Sequence, residues 1–88
     1  MPETPTVDSL LQALKDVALG GPPQGARLGR LKDALEITEA ALRSLPADKR
    51  FPTRSRLAML CADEAERLSA RGHYRAAEFM AQAAQRLR

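Results

Sequence analysis

The sequence predicts an all-α chain of four helices, arranged as two antiparallel helical hairpins or as a closed four-helix bundle. Three observations lead there. Apolar residues recur at three- and four-residue spacing in four separate stretches. Gly and Pro punctuate the chain between those stretches, at Gly20-Gly21-Pro22-Pro23, Pro46, Pro52 and Gly72. One segment also occurs twice, 43 residues apart: Gly29-x-Leu31-x-x-Ala34 with Ala41 seven residues beyond, and Gly72-x-Tyr74-x-x-Ala77 with Ala84 seven residues beyond.

With 88 residues the chain reads as a single domain, 1–88. Residues 1–5 carry two Pro and read as a loose tail. Thr6 is placed to cap the first helix, and Asp8 lies in its first turn, where the helix dipole favours a negative charge. Val7, Leu10, Leu11, Leu14, Val17 and Ala18 share one face, which gives a helix over about 7–19. Gly20-Gly21 stops it, and the Pro-containing connector to Gly25 follows. That connector is no phosphate-cradling loop: two Pro remove backbone donors, and no Gly-Lys-Ser/Thr follows.

The second helix spans about 26–45. Its stripe is Leu28, Leu31, Leu35, Thr38, Leu42 and Leu45, widened by Ala34, Ile37 and Ala41. Lys32, Asp33, Glu36, Glu39 and Arg43 form the solvated face, with Glu39–Arg43 and Lys32–Glu36 spaced to pair. Residues 46–52 read as the loop between hairpin one (6–45) and hairpin two (53–88), with Phe51 as a plug over the hairpin end. The third helix spans about 53–71, capped by Thr53 or Ser55. Leu57, Leu60, Cys61, Ala65 and Leu68 form its buried stripe, and a basic last turn precedes the capping Gly72. The fourth spans about 74–87, with a seam of Ala76, Ala77, Met80, Ala81, Ala83, Ala84 and Leu87.

The repeated pattern resembles the second half of a tetratricopeptide repeat. In that family a Gly closes the preceding helix, a large apolar residue plugs the crevice between helices, and two Ala let the neighbouring helix approach. Pro46, five residues after Ala41, stands where the family has its closing Pro. The spacing is longer than the family period of about 34 residues, and the first-helix signature is absent. The resemblance implies a groove lined by the exposed sides of the first and third helices. On this chain those positions are Ser9, Gln12, Asp16 and Leu19, with Met59, Ala62, Asp63, Glu66 and Ser69. Such a groove is mildly acidic with apolar spots. The resemblance implies binding of a peptide or helix carrying Lys/Arg and a few apolar anchors. Chaperones of bacterial secretion systems are one setting in which such modules occur.

Composition narrows the class further. Only Phe51, Tyr74 and Phe79 are aromatic, and much of the apolar content is Ala, so thin helix–helix seams are expected rather than a deep core. No apolar run is long enough to cross a membrane, and the N-terminal residues lack a signal peptide's basic and apolar regions. The single Cys61 cannot form an internal disulfide. These features point to a cytoplasmic protein. Residues 1–46 carry five Lys/Arg against six Asp/Glu, whereas residues 47–88 carry nine against five.

No constellation for catalysis is present. His73 stands alone at a helix junction, Cys61 lies on a buried stripe, and no Cys/His set has zinc spacing. Asp63, Glu64 and Glu66 do not match a calcium loop. No enzyme, cofactor or metal is expected. The leading expectation is a protein-binding module of adaptor or chaperone type, with Met59, Asp63, Glu66, Ser69, Phe79 and Met80 facing the partner. A second reading is nucleic-acid binding through Lys49, Arg50, Arg54 and Arg56. A third is a self-assembling helical homodimer through an exposed Phe79 and Met80.

Overall fold

A computed structural model describes residues 5–20 and 27–88, with side chains in the second stretch from Leu31 onward. The expected tail through Thr4, the connector from Gly21 to Gly25 and the side chain of Leu28 in the second stripe lie outside the described residues. Every described element is helical: α1 (Val7–Leu19), α2 (Arg27–Arg43), α3 (Ala47–Ala70) and α4 (Tyr74–Leu87).

The capping residue of α1 is Thr6, as expected, and the cap is reciprocal. The Ser9 backbone N–H donates to Thr6 Oγ1 at 3.1 Å, and the Thr6 N–H donates to Ser9 Oγ at 2.9 Å. Two of the helix's orphan donors are thereby satisfied. Leu10 and Leu14 are buried, Leu14 to 1% exposure.

In α2, Leu31, Ala34, Thr38 and Leu42 are buried, and Leu45 is buried just past the helix end. Thr38 satisfies its buried hydroxyl by donating to the Ala34 carbonyl at 2.8 Å. Ile37 does not widen the stripe: it is 70% exposed. At 100° per residue it points away from the Leu31–Thr38–Leu42 line.

The largest correction falls on 46–52. These residues are not a loop. Pro46 is the N-cap of α3, without a side-chain cap bond, and the helix runs through Pro52. Neither Thr53 nor Ser55 caps it, and hairpin two begins before residue 53. A proline biases its predecessor away from helix and removes one backbone donor. Here Arg50 on the added turns and Arg54 just beyond them find acceptors. Arg50 Nε donates to the Leu45 carbonyl at 2.9 Å. Arg54 Nε donates to the Leu87 carbonyl at 3.0 Å.

At its other end α3 closes as expected. Gly72 has φ +85°, the left-handed region that favours glycine. The His73 N–H reaches the Leu68 carbonyl at 2.9 Å and the Gly72 N–H reaches the Ser69 carbonyl at 3.0 Å. This is the Schellman pattern, and it turns the chain straight into α4.

The α3–α4 seam is the main packing surface. Leu57, Ala58, Cys61 and Leu68 meet Ala76, Ala77, Met80, Ala83, Ala84 and Leu87, all buried. The Ala residues let the two backbones approach closely. Ala81 is exposed and is not part of the seam. Met80 is fully buried and Phe79 packs against the core, so these two do not form an exposed self-assembly surface.

The four helices all touch one another, and α1 makes more contact with α4 and α3 than with α2. The first hairpin is therefore slight, and α1 docks on the second. The radius of gyration, 12.7 Å, is close to the roughly 12 Å of a compact chain this long. Both features favour the closed alternative over an open stack of hairpins. Of the repeated pattern, the four Ala lie at buried or partly buried positions and Gly72 ends a helix. Gly29 instead lies inside α2, and Tyr74 is 69% exposed rather than plugging a crevice.

Candidate protein-docking face on α3

The outward side of α3 carries two of the five exposed large apolar side chains among the described residues, and they lie close together; Leu19, Ile37 and Tyr74 are exposed on the other helices. Phe51 is 76% exposed and Met59 is 67% exposed. They are eight residues apart, about 12 Å along the helix, with small Ser55 between them. Phe51 does not plug the hairpin end as expected. Its helix begins before Pro52, and that extra length carries the ring out into solvent.

Two shallow hollows flank this ridge. One, of about 520 Å³, is lined by Phe51, Arg54, Ser55, Ala58, Met59, Leu87 and Arg88. The other, of about 490 Å³, is lined by Phe51, Pro52, Arg56, Met59, Leu60 and Asp63 among others. A third groove, of about 650 Å³, lies between α2 and α4, with Leu31 and Leu35 among its lining. Its charged lining includes Lys32, Arg43 and Arg86 but also Glu36 and Glu39, so it favours neither sign.

The acidic positions expected to face a partner are exposed. Asp63, Glu66 and Ser69 lie on the outer part of α3 beyond Met59. Ser9, Gln12, Asp16 and Leu19 are exposed on α1, where Gln12 Nε2 donates to Asp16 Oδ1 at 2.8 Å. Glu64 is drawn inward instead. Its carboxylate takes Arg67 at 2.9 Å and Lys15 of α1 at 3.6 Å, and its side chain is 13% exposed. Met80 lies in the core, and Phe79 only partly reaches the surface. Neither joins the α3 face.

The structure divides the four basic residues expected to meet nucleic acid. The Arg54 guanidinium grips both Glu39 carboxylate oxygens at 2.6 Å, while its Nε caps the carbonyl end of α4. Hydrogen bonding to Glu39 raises its pKa above the ordinary arginine value. Arg54 is thus a clamp across α2, α3 and α4, and Glu39 pairs with it rather than with Arg43. Arg50 holds a backbone carbonyl through Nε. Lys49 and Arg56 are exposed and form no ion pair among the described residues. Arg54→Met is expected to cost about 1–2 kcal/mol, since it breaks a bidentate pair about two-thirds shielded from water and uncaps α4. Urea denaturation of Arg54→Met, Glu39→Gln and the double variant checks this. Strictly additive losses would show that the pair is not coupled.

Cys61 is fully buried, and burial together with the nearby Glu64 charge pushes its thiol up to about 11. A thiol in this state is a poor nucleophile at neutral pH. The folded pKa lies above the ordinary 9.0, so the fold favours the protonated thiol. That stabilisation is present below about pH 9.0 and is lost as pH rises through about 11. Wild type is therefore expected to lose more thermal stability than Cys61→Ala between those values. Equal pH profiles for the two chains would refute the burial of the thiol.

Among the described residues no group of three His, Cys, Asp or Glu is placed to hold a metal ion, and no helix is long and apolar enough to cross a membrane. The fold and this face define a four-helix, all-α protein with two exposed large apolar residues close together on its longest helix. No family model, curated protein or solved structure matches the chain.

Proposed function

We propose that the chain is a small protein-binding module of the adaptor or chaperone type, and that α3 is its docking helix. The observation that carries this is the exposure of Phe51 and Met59 two turns apart on one face, beside two hollows. A small chain with few large apolar side chains and several Ala seams gains stability by burying each of them. Of the five left in water, Phe51 and Met59 share one helix, which is consistent with a surface that is covered by something else. Asp63 and Glu66 continue the same helix and give the face a polar rim.

The tetratricopeptide-like reading of the repeated segment remains compatible with this proposal. The docking face in it includes the third-helix positions Met59, Asp63, Glu66 and Ser69. Nucleic-acid binding is less well supported, because Arg54 is engaged by Glu39 and Arg50 by a backbone carbonyl. A cytoplasmic setting belongs to the same proposal.

Site-specific photo-crosslinking in the producing cells tests it. A benzophenone side chain placed at residue 51 or 59 is expected to give a discrete protein adduct. The same group at Glu78 or Gln85, on the exposed side of α4, is expected to give none. Adducts of equal yield at all four positions, or none at 51 and 59, would remove α3 as the docking helix.

A further inference from the structure

We propose that Met59 is a selective oxidation site, taking an oxygen atom from hydrogen peroxide or an organic hydroperoxide, and that its oxidation switches off the docking face of α3. The switch rests on the docking reading above, whereas the selectivity stands without it. Exposure decides which residue reacts. A thioether reacts through a sulfur lone pair that must meet the peroxide oxygen, so solvent access governs the attack. Met59 is 67% exposed, whereas Met80 is 0% exposed in the α3–α4 seam. Cys61 is equally buried, and its thiol, pushed up to about 11, offers little thiolate to an oxidant at neutral pH. Of these three sulfur side chains, Met59 is therefore the one open to attack. The sulfur lone pair takes one peroxide oxygen, the O–O bond breaks, and the other oxygen leaves as water, or as the alcohol from an organic hydroperoxide, with the peroxide's protons. Sulfur loses two electrons to become the sulfoxide, and the peroxide gains them.

Position decides the consequence. Met59 lines both hollows that flank the ridge, in each case together with Phe51 and Ser55. Its sulfoxide is polar and accepts hydrogen bonds, so oxidation puts a hydrated group on a wall that the two hollows share. Met59 is no part of the buried core, so the helices keep their packing when the oxygen is added. The same oxygen at Met80 would enter the buried seam and break it. An exposed sulfoxide on an intact fold is also within reach of methionine sulfoxide reductases, which makes the change reversible.

Peroxide treatment of the folded full chain, followed by trypsin and tandem mass spectrometry, tests the selectivity. Met59 is read in the peptide Leu57–Arg67 and Met80 in Ala76–Arg86. Sulfoxide is expected to form at Met59 at least about tenfold faster than at Met80, with no oxygen added at Cys61 and far-ultraviolet circular dichroism unchanged. In unfolding urea the two methionines are expected to react at equal rates, because burial alone separates them. Equal rates in the folded chain, or helix loss in step with Met59 oxidation, would overturn the proposal. The crosslink from residue 51 reads the switch. Its yield is expected to fall about fivefold in cells where Met59 is found oxidised, and to persist under the same peroxide in Met59→Leu. An equal fall in both, or no fall with Met59 oxidised, would overturn the switch and leave the docking helix standing. Absence of the adduct in untreated cells would instead remove the docking reading and the switch together, while the peptide maps alone decide the selectivity.

Discussion

Ala84→Asp is expected to unfold the chain at 25 °C. Ala84 is 3% exposed in the α3–α4 seam, beside fully buried Ala83 and Leu87. Two penalties combine there. The added atoms force apart backbones that approach closely because the side chain is only a methyl. The carboxylate meets Leu57, Cys61 and their neighbours, which offer it no cation. Burying an unpaired charge and overpacking together cost on the order of 5 kcal/mol. A domain of this size has about 4–13 kcal/mol in total, and this one has few large side chains. Far-ultraviolet circular dichroism and a thermal melt provide the readout. Ala77→Asp, on the same seam, should behave alike. Ala81→Asp, exposed on the same helix, should stay within about 0.5 kcal/mol of wild type. A cooperative melt of Ala84→Asp near the wild-type temperature would mean that α3 and α4 do not meet along this face.

Leu14→Ala carries the second large effect, an expected loss of about 2.5–4 kcal/mol. Leu14 is 1% exposed and anchors α1 to the rest of the core. The polar link between α1 and α3 is Lys15–Glu64 at 3.6 Å, a partly exposed pair worth little by itself. Removing the Leu14 anchor should therefore loosen α1 before the α3–α4 hairpin. Hydrogen exchange resolves the two. Amides of α1 are expected to lose protection first, while those around Cys61 and Met80 exchange only on global unfolding. Uniform loss of protection would show that α1 is no separate unit. A stability change below about 1 kcal/mol would show that Leu14 is not in the core.

The exposed face of α3 proposed for docking was half legible in the sequence. Met59, Asp63, Glu66 and Ser69 are exposed because their spacing places them opposite Leu57, Cys61 and Leu68, which periodicity alone determines. Phe51 reads as a plug because Pro52 removes a backbone donor and biases its predecessor away from helix. The signal for the longer helix was Pro46 followed by Asp48, a rigid N-cap with a carboxylate in the first turn. The sequence places Met80 in the α4 seam, where it is buried, but also beside an exposed Phe79 on a partner surface, because Phe79 lies off the middle of that seam. Which side of such a helix faces inward depends on the neighbours it packs against.

By itself the sequence determined the four helices, the Thr6 cap, the Gly72 turn and the Ala seam, because each follows from local backbone preference and a 3.6-residue period. Only the tertiary structure decided the rest. It set α1 against the second hairpin more than against α2 among the described residues. It turned Arg54 from a free cation into a clamp on Glu39 and the end of α4, and drew Glu64 inward to Lys15 and Arg67. The physical reason is common to all three. A helix's period states which residues share a face, but the partner of that face, and the partner of each charge on its rim, is set by contacts between residues far apart in the chain.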